Sequence, residues 1–201
     1  MKKELDYFRI EGAYGGSQGW FTDYVMRMGG CAAAAACDSC IYFGRYRGKK
    51  GLYPYDIANI TKEDYIKFAM IMKPYLRPRL SGIDTLKLYM DGFSKYMADR
   101  CSRDIIMEPL DGTEPVEQAR EALRQQINAG FPIPCLILHH RNRAFKNYDW
   151  HWFMLTGYES YEDTCMVKAV TYGGFRWLDF GELWDTGYRK KGGLIIYKET
   201  V

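Results

Sequence analysis

The stretch Gly29-Gly30-Cys31-Ala32-Ala33-Ala34-Ala35-Ala36 predicts a helix that opens on a cysteine. Alanine has the best helix propensity, and the two glycines before it supply a sharp entry turn. A thiol on the first turn meets unpaired backbone N–H groups and the positive end of the helix dipole, and both favour thiolate. Thiolate is the attacking species in cysteine catalysis. A small buried cysteine on a core helix fits the same residues, so this segment alone leaves both readings open. The alanines keep the helix thin and let it pack close to its neighbours.

Few partners for such a thiol exist. The chain has three histidines, His139, His140 and His151. His151 opens the aromatic and aliphatic run Trp152-Phe153-Met154-Leu155, followed by Thr156-Gly157-Tyr158, which reads as a buried strand with a Thr-Gly turn. An imidazole at the mouth of a strand is held rigidly, as a general base must be. A core histidine bonded to backbone is the alternative. His139 and His140 close the strand before it, and His140 is the reserve base.

Three patches together resemble the papain-like cysteine peptidases. They are Tyr14-Gly15-Gly16-Ser17-Gln18-Gly19-Trp20-Phe21, Gly29-Gly30-Cys31-Ala32-Ala33-Ala34, and His151-Trp152 through Thr156-Gly157-Tyr158. The branch they are most similar to is the bacteriocin-processing, leader-cleaving type with its bacterial relatives. The resemblance implies that Gln18 donates to the oxyanion, Cys31 is the nucleophile and His151 the base. It puts the residue that orients the histidine near Thr171, where the family has Asn or Asp, with Asp179 as a substitute. Gln18 lies thirteen residues before Cys31, a longer interval than the family's, so residues 20–28 must loop out or form a helical turn. Ala32 follows the nucleophile where the family often has glycine, and the Cys-Gly-Ser-Cys-Trp signature is absent.

Bulk properties narrow the classes. The 201 residues suffice for one sizeable core. With 47% hydrophobic and 26% charged residues the composition is that of a globular protein. A net charge of +3, with basic residues scattered into Arg45/Arg47/Lys49/Lys50 and Arg189/Lys190/Lys191, argues against a nucleic-acid partner. No apolar run approaches the roughly eighteen residues of a membrane span. Met1-Lys2-Lys3-Glu4-Leu5-Asp6 carries charge without a following apolar segment, so cytoplasmic location and reduced cysteines are expected. Cys37-Asp38-Ser39-Cys40 lacks the second ligand pair of a zinc site. It reads as two small core residues on one helix face, and neither a metal nor a cofactor is expected.

Along the chain a helix-rich part, about 14–130, precedes a sheet-rich part, about 131–201, within a single domain spanning 1–201. Helices are predicted from Thr61 to about Pro74, from a Ser81 cap to about Ala98, and from Thr113-Glu114-Pro115 to just before Gly130. Strands are predicted over 133–139, 152–158, 165–171, 175–178 and 194–198, with a helical turn over 180–184. The expected class is α+β: a papain-like helical lobe, with the cysteine-bearing helix central, against an antiparallel sheet. The function expected from the resemblance is a cysteine-dependent hydrolase of a peptide or small amide substrate. The alternative is a catalytically silent papain-like domain that binds peptides or serves protein interaction.

Overall fold

A computed structural model describes residues 1–79, 82–102, 104–162 and 164–200. Its helices are α1 (Tyr24–Gly29), α2 (Cys31–Tyr46), α3 (Lys62–Met72), α4 (Leu86–Asp99), α5 (Val116–Asn128) and α6 (Phe180–Trp184). Its strands are β1 (Lys2–Glu4), β2 (Arg9–Ile10), β3 (Ala13–Tyr14), β4 (Ile105–Asp111), β5 (Ile133–Ile137), β6 (His151–Tyr161), β7 (Thr164–Thr171), β8 (Gly174–Asp179) and β9 (Gly193–Glu199). The fold is α+β. Seven strands pair antiparallel in the spatial order β4-β9-β5-β6-β7-β8, and β1 joins β6 beyond the end of β5. β2 and β3 form a separate small hairpin.

Helix α2 is buried on nearly every side and packs on β6. Ala32, Ala33, Ala35 and Ala36 are all in the core, because only a methyl-sized side chain lets a helix lie this close to a sheet on one side and to α3 on the other. The helix caps follow sequence chemistry. Thr61 accepts from Asp64 N and donates to the Asp64 carboxylate (3.1 and 2.8 Å), a reciprocal cap. Pro115 precedes α5 and Gly130 follows it with φ +80°, closing it in the left-handed conformation glycine tolerates.

Three expectations need correction. Helix α4 starts at Leu86, later than expected, with Thr85 as its cap accepting from Leu88 N (3.2 Å); Ser81 lies outside the described residues. Thr156-Gly157 is not a turn: β6 runs through it to Tyr161, with a register shift between Leu155 and Tyr158. Gly157 sits where β1 pairs closely alongside β6, and a Cβ would stand 3.0 Å from the Lys3 carbonyl oxygen. β4, a strand outside the expected set, joins the main sheet from within the helix-rich part, and β1 joins it from the residues before that part. β4 carries Pro109 and lies at the sheet edge, the place where a strand tolerates a residue with no N–H to donate.

Gly16 lies tight against a side chain, and a Cβ there would stand 2.0 Å from the Tyr65 hydroxyl. Gly16→Ala is expected to cost about 1–3 kcal/mol by overpacking and to lower the melting temperature by several degrees. Gly174→Ala, which meets nothing within 4 Å, should leave it unchanged or slightly raised. Thermal unfolding of the two variants beside the parent protein checks this.

Candidate functional site

Residues 18–31 fill the long interval between the glutamine and the cysteine with structure. A 3-10 turn at Gln18–Trp20 leads to Asp23, which caps α1 by accepting from Met26 N (3.0 Å). Gly30 then joins α1 to α2: its N–H donates to the Met26 carbonyl (2.7 Å), and a Cβ there would sit 2.4 Å from that same oxygen. The two helices therefore meet at a single residue, and Cys31 becomes the first residue of α2.

Cys31, Gln18 and His151 line one cleft of about 520 Å³, and all three also line a narrow pocket at its floor that includes Gly16, Asp38 and Thr171. His151 opens β6 and is buried. Its Nε2 is 2.7 Å from Thr171 Oγ1, at the end of the neighbouring strand β7. Nδ1 has no hydrogen-bond partner among the described residues. Asp179, the substitute orienting residue, is instead the cap of α6 and accepts from Glu182 N (2.8 Å). His140 is no reserve base: Nδ1 accepts from Asn142 N (3.0 Å), so Nε2–H donates to the Glu182 carbonyl (2.9 Å). His139 packs between Trp150 and Tyr188.

Gln18 Nε2 donates one N–H to the Arg27 carbonyl at 3.2 Å. That bond fixes which end of the amide faces α1, because a carbonyl needs a donor. Its second N–H stays available, while Oε1 is buried with no partner among the described residues.

Electrostatics set the resting state, and here the thiolate expectation is corrected. Packing around Cys31 raises its thiol above the ordinary value, outweighing the backbone N–H groups of Trp152, Ala32 and Cys31 that favour thiolate. Burial pushes His151 down to about 4. At neutral pH the shared cleft holds a neutral thiol and a neutral imidazole. The helix N-terminus is present as the sequence predicts, but desolvation is the larger effect.

Two contributors had no expectation attached. The first is Tyr172. Thr171 pairs with Gly174, so Tyr172 and Gly173 form a two-residue hairpin loop with φ +52° and +74°, a type I′ turn. A tyrosine held left-handed costs about 1 kcal/mol. Its ring lies flat on His151, with centroids 4.8 Å apart and planes 3° apart. The signal was an X-Gly pair between two strand patterns, directly after the orienting position.

The second is Asp38, seven residues after Cys31 and therefore on the same side of α2. Its buried carboxylate accepts from Tyr65 OH (2.8 Å), Tyr7 OH (3.1 Å) and Gly16 N (3.2 Å). Burial raises it to about 6 against the opposing pull of those donors. Gly16 in turn accepts from Gly173 N (3.0 Å). Asp38 thus ties the segment leading to Gln18 to the helix that carries Cys31. A lone acidic residue between two cysteines carries no sequence signal of that role.

Cys37 and Cys40 are buried free thiols of α2. Among the described residues no group of His, Cys, Asp and Glu is arranged to hold a metal ion, and no helix is long and apolar enough to cross a membrane. In comparisons with known proteins the chain matches no family model, no curated protein and no solved structure.

The neutral resting pair has a measurable consequence. The rate of Cys31 alkylation by iodoacetamide should climb with pH beyond the ordinary thiol midpoint of about 8.5, with no plateau on the acid side. Mass-spectrometric quantitation of the Cys31 peptide across pH checks it, and a plateau below pH 7 would mean a preformed ion pair.

Proposed function

We propose that this chain is a cysteine-dependent hydrolase of peptide or amide bonds with a papain-like arrangement of its site. One observation carries the reading. A cysteine at the first residue of a central helix shares a cleft with a histidine whose Nε2 is held by a strand-end hydroxyl and whose Nδ1 is left open. That arrangement supports the roles of nucleophile, base and orienting group for the three residues.

In the proposed reaction Nδ1 of His151 takes the Cys31 proton as sulfur attacks the carbonyl carbon. The free N–H of Gln18 and the backbone N–H of Cys31 hold the developing oxyanion. The imidazolium returns the proton to the leaving amine, and the acyl thioester remains on Cys31. Water then attacks the thioester, His151 again acting as base, and the acid is released. Thr171 keeps the ring in place by accepting a hydrogen bond from Nε2–H. It lacks a carboxylate's charge and so stabilises imidazolium less. Tyr172 covers the ring and keeps water from it.

Proton transfer from a neutral thiol to a neutral imidazole suits a site whose groups are both desolvated. The base must be unprotonated, so the acid limb of kcat/KM is expected near pH 4, following the lowered His151, instead of near the ordinary histidine value. Cys31→Ala and His151→Ala should each abolish turnover in a screen of fluorogenic peptide amides. Thr171→Val, which keeps the shape and removes the hydroxyl, should lower kcat about 10- to 100-fold with KM little changed. Turnover that survives Cys31→Ala would sink the proposal.

A second reading draws on the same neutrality. A cleft whose thiol stays protonated and whose imidazole stays neutral also suits a silent peptide-binding domain, with Thr171 in place of a carboxylate. Peptide binding with no turnover, and thiol reactivity indifferent to His151→Ala, would select it.

A further inference from the structure

Large apolar side chains left in water are concentrated around this cleft. Tyr24 (77% exposed), Val25 (44%), Met28 (67%), Trp150 (39%) and Tyr172 (53%) all line it. Three of the five come from α1, the segment inserted between Gln18 and Cys31. On a helix, positions 24, 25 and 28 share a face, since 28 follows 24 by four and 25 by three residues. Met26, on the other face, is fully buried. The helix is thus apolar on two sides: one is consumed by the core, and the other faces the cleft.

This wall is firmly held. Asp23 caps α1 and pairs with Lys73 (2.6 Å), and the Arg27 carbonyl accepts the Gln18 amide N–H (3.2 Å). The opposite side carries Ile83 and Trp150, whose backbone N–H is bonded to the Leu138 carbonyl (2.6 Å). The nearby Asp84 carboxylate is paired with Lys190 (3.3 Å). Exposed apolar side chains gathered around one cleft mark a binding site more often than singly scattered ones do, and a cleft of about 520 Å³ falls within the size of ligand sites.

We infer that α1 is the specificity wall of the cleft, and that the substrate is a peptide or amide with a bulky apolar side chain, aromatic or branched aliphatic, beside the bond attacked. The inference rests on the hydrolase reading for the position of that bond, but the side-chain preference is a binding property with its own readout. Seating such a side chain against Val25 and Met28 removes apolar surface of both partners from water. It also places the chain against the helix whose Arg27 carbonyl anchors Gln18.

The test is calorimetric titration of the full chain carrying Cys31→Ala with acetyl-Ala-Xaa-Ala-Ala-amide, where Xaa is Phe, Leu, Gly or Asp. Phe and Leu peptides should bind roughly 10- to 100-fold more tightly than Gly or Asp peptides. Val25→Asp and the milder Met28→Gln, both at exposed positions, should each remove most of that preference while leaving the circular dichroism spectrum intact. Equal affinity across the four peptides, binding of none of them, or a preference that survives both substitutions overturns the wall. The hydrolase reading is judged separately with the wild-type chain. Selective binding without turnover sinks the hydrolase and keeps the wall, whereas turnover indifferent to Xaa does the reverse.

Discussion

The contact on which the site depends is the buried carboxylate of Asp38 with its three donors. A carboxylate in a protein interior is tolerated only when its lone pairs are satisfied, and here two tyrosine hydroxyls and the Gly16 N–H do so. Those donors come from three parts of the chain: Tyr7 near the N-terminus, Gly16 in the segment leading to Gln18, and Tyr65 on α3. Because Asp38 shares a helix with Cys31, the same bonds that satisfy the charge set the glutamine segment relative to the thiol. Gly16 extends the tie further, since its carbonyl accepts from Gly173, next to the tyrosine that covers His151. Removing any one donor would leave a charge short of partners inside the core, a far larger penalty than the loss of one surface hydrogen bond.

Desolvation governs the chemistry as much as geometry does. Four side chains in or under the cleft are displaced from their ordinary titration ranges, and burial is the largest cause in each: Cys31, His151, Asp38 and Tyr172. All four shifts run toward the uncharged form. Cys31, His151 and Tyr172 rest uncharged at neutral pH, whereas Asp38, raised only to about 6, stays mainly ionised because its three donors oppose burial. The flat stack of Tyr172 on His151 belongs to the same design, because it excludes water from the imidazole without adding a charge. In the proposed mechanism the neutral Thr171 hydroxyl fits this setting, where a carboxylate would itself need further donors.

Much of the fold is local and therefore legible. Thr61 with Asp64 and Pro115 with Gly130 mark helix ends through side-chain and backbone chemistry that acts within four residues or at one. The strands of the C-terminal part are legible because their apolar runs are continuous and bounded by glycines. What escaped reading was non-local. Gly157 looks like a turn residue until β1 is seen paired against it, and β4 looks unlike a strand because Pro109 is tolerable only at an edge. Which strand is an edge is a property of the assembled sheet.

The site divides the same way. Sequence by itself determined that Cys31 opens a helix and that His151 stands at the mouth of a strand, since each follows from local propensity and hydrophobic pattern. Tertiary structure alone decided that Asp179 caps α6 and stays away from the imidazole, that both nitrogens of His140 are occupied, and that Asp38 links α2 to the Gln18 segment. It also decided the protonation of Cys31. The helix N-terminus, a short-range feature, favours thiolate, but the packing that opposes it comes from residues distant in sequence, and burial outweighs the dipole.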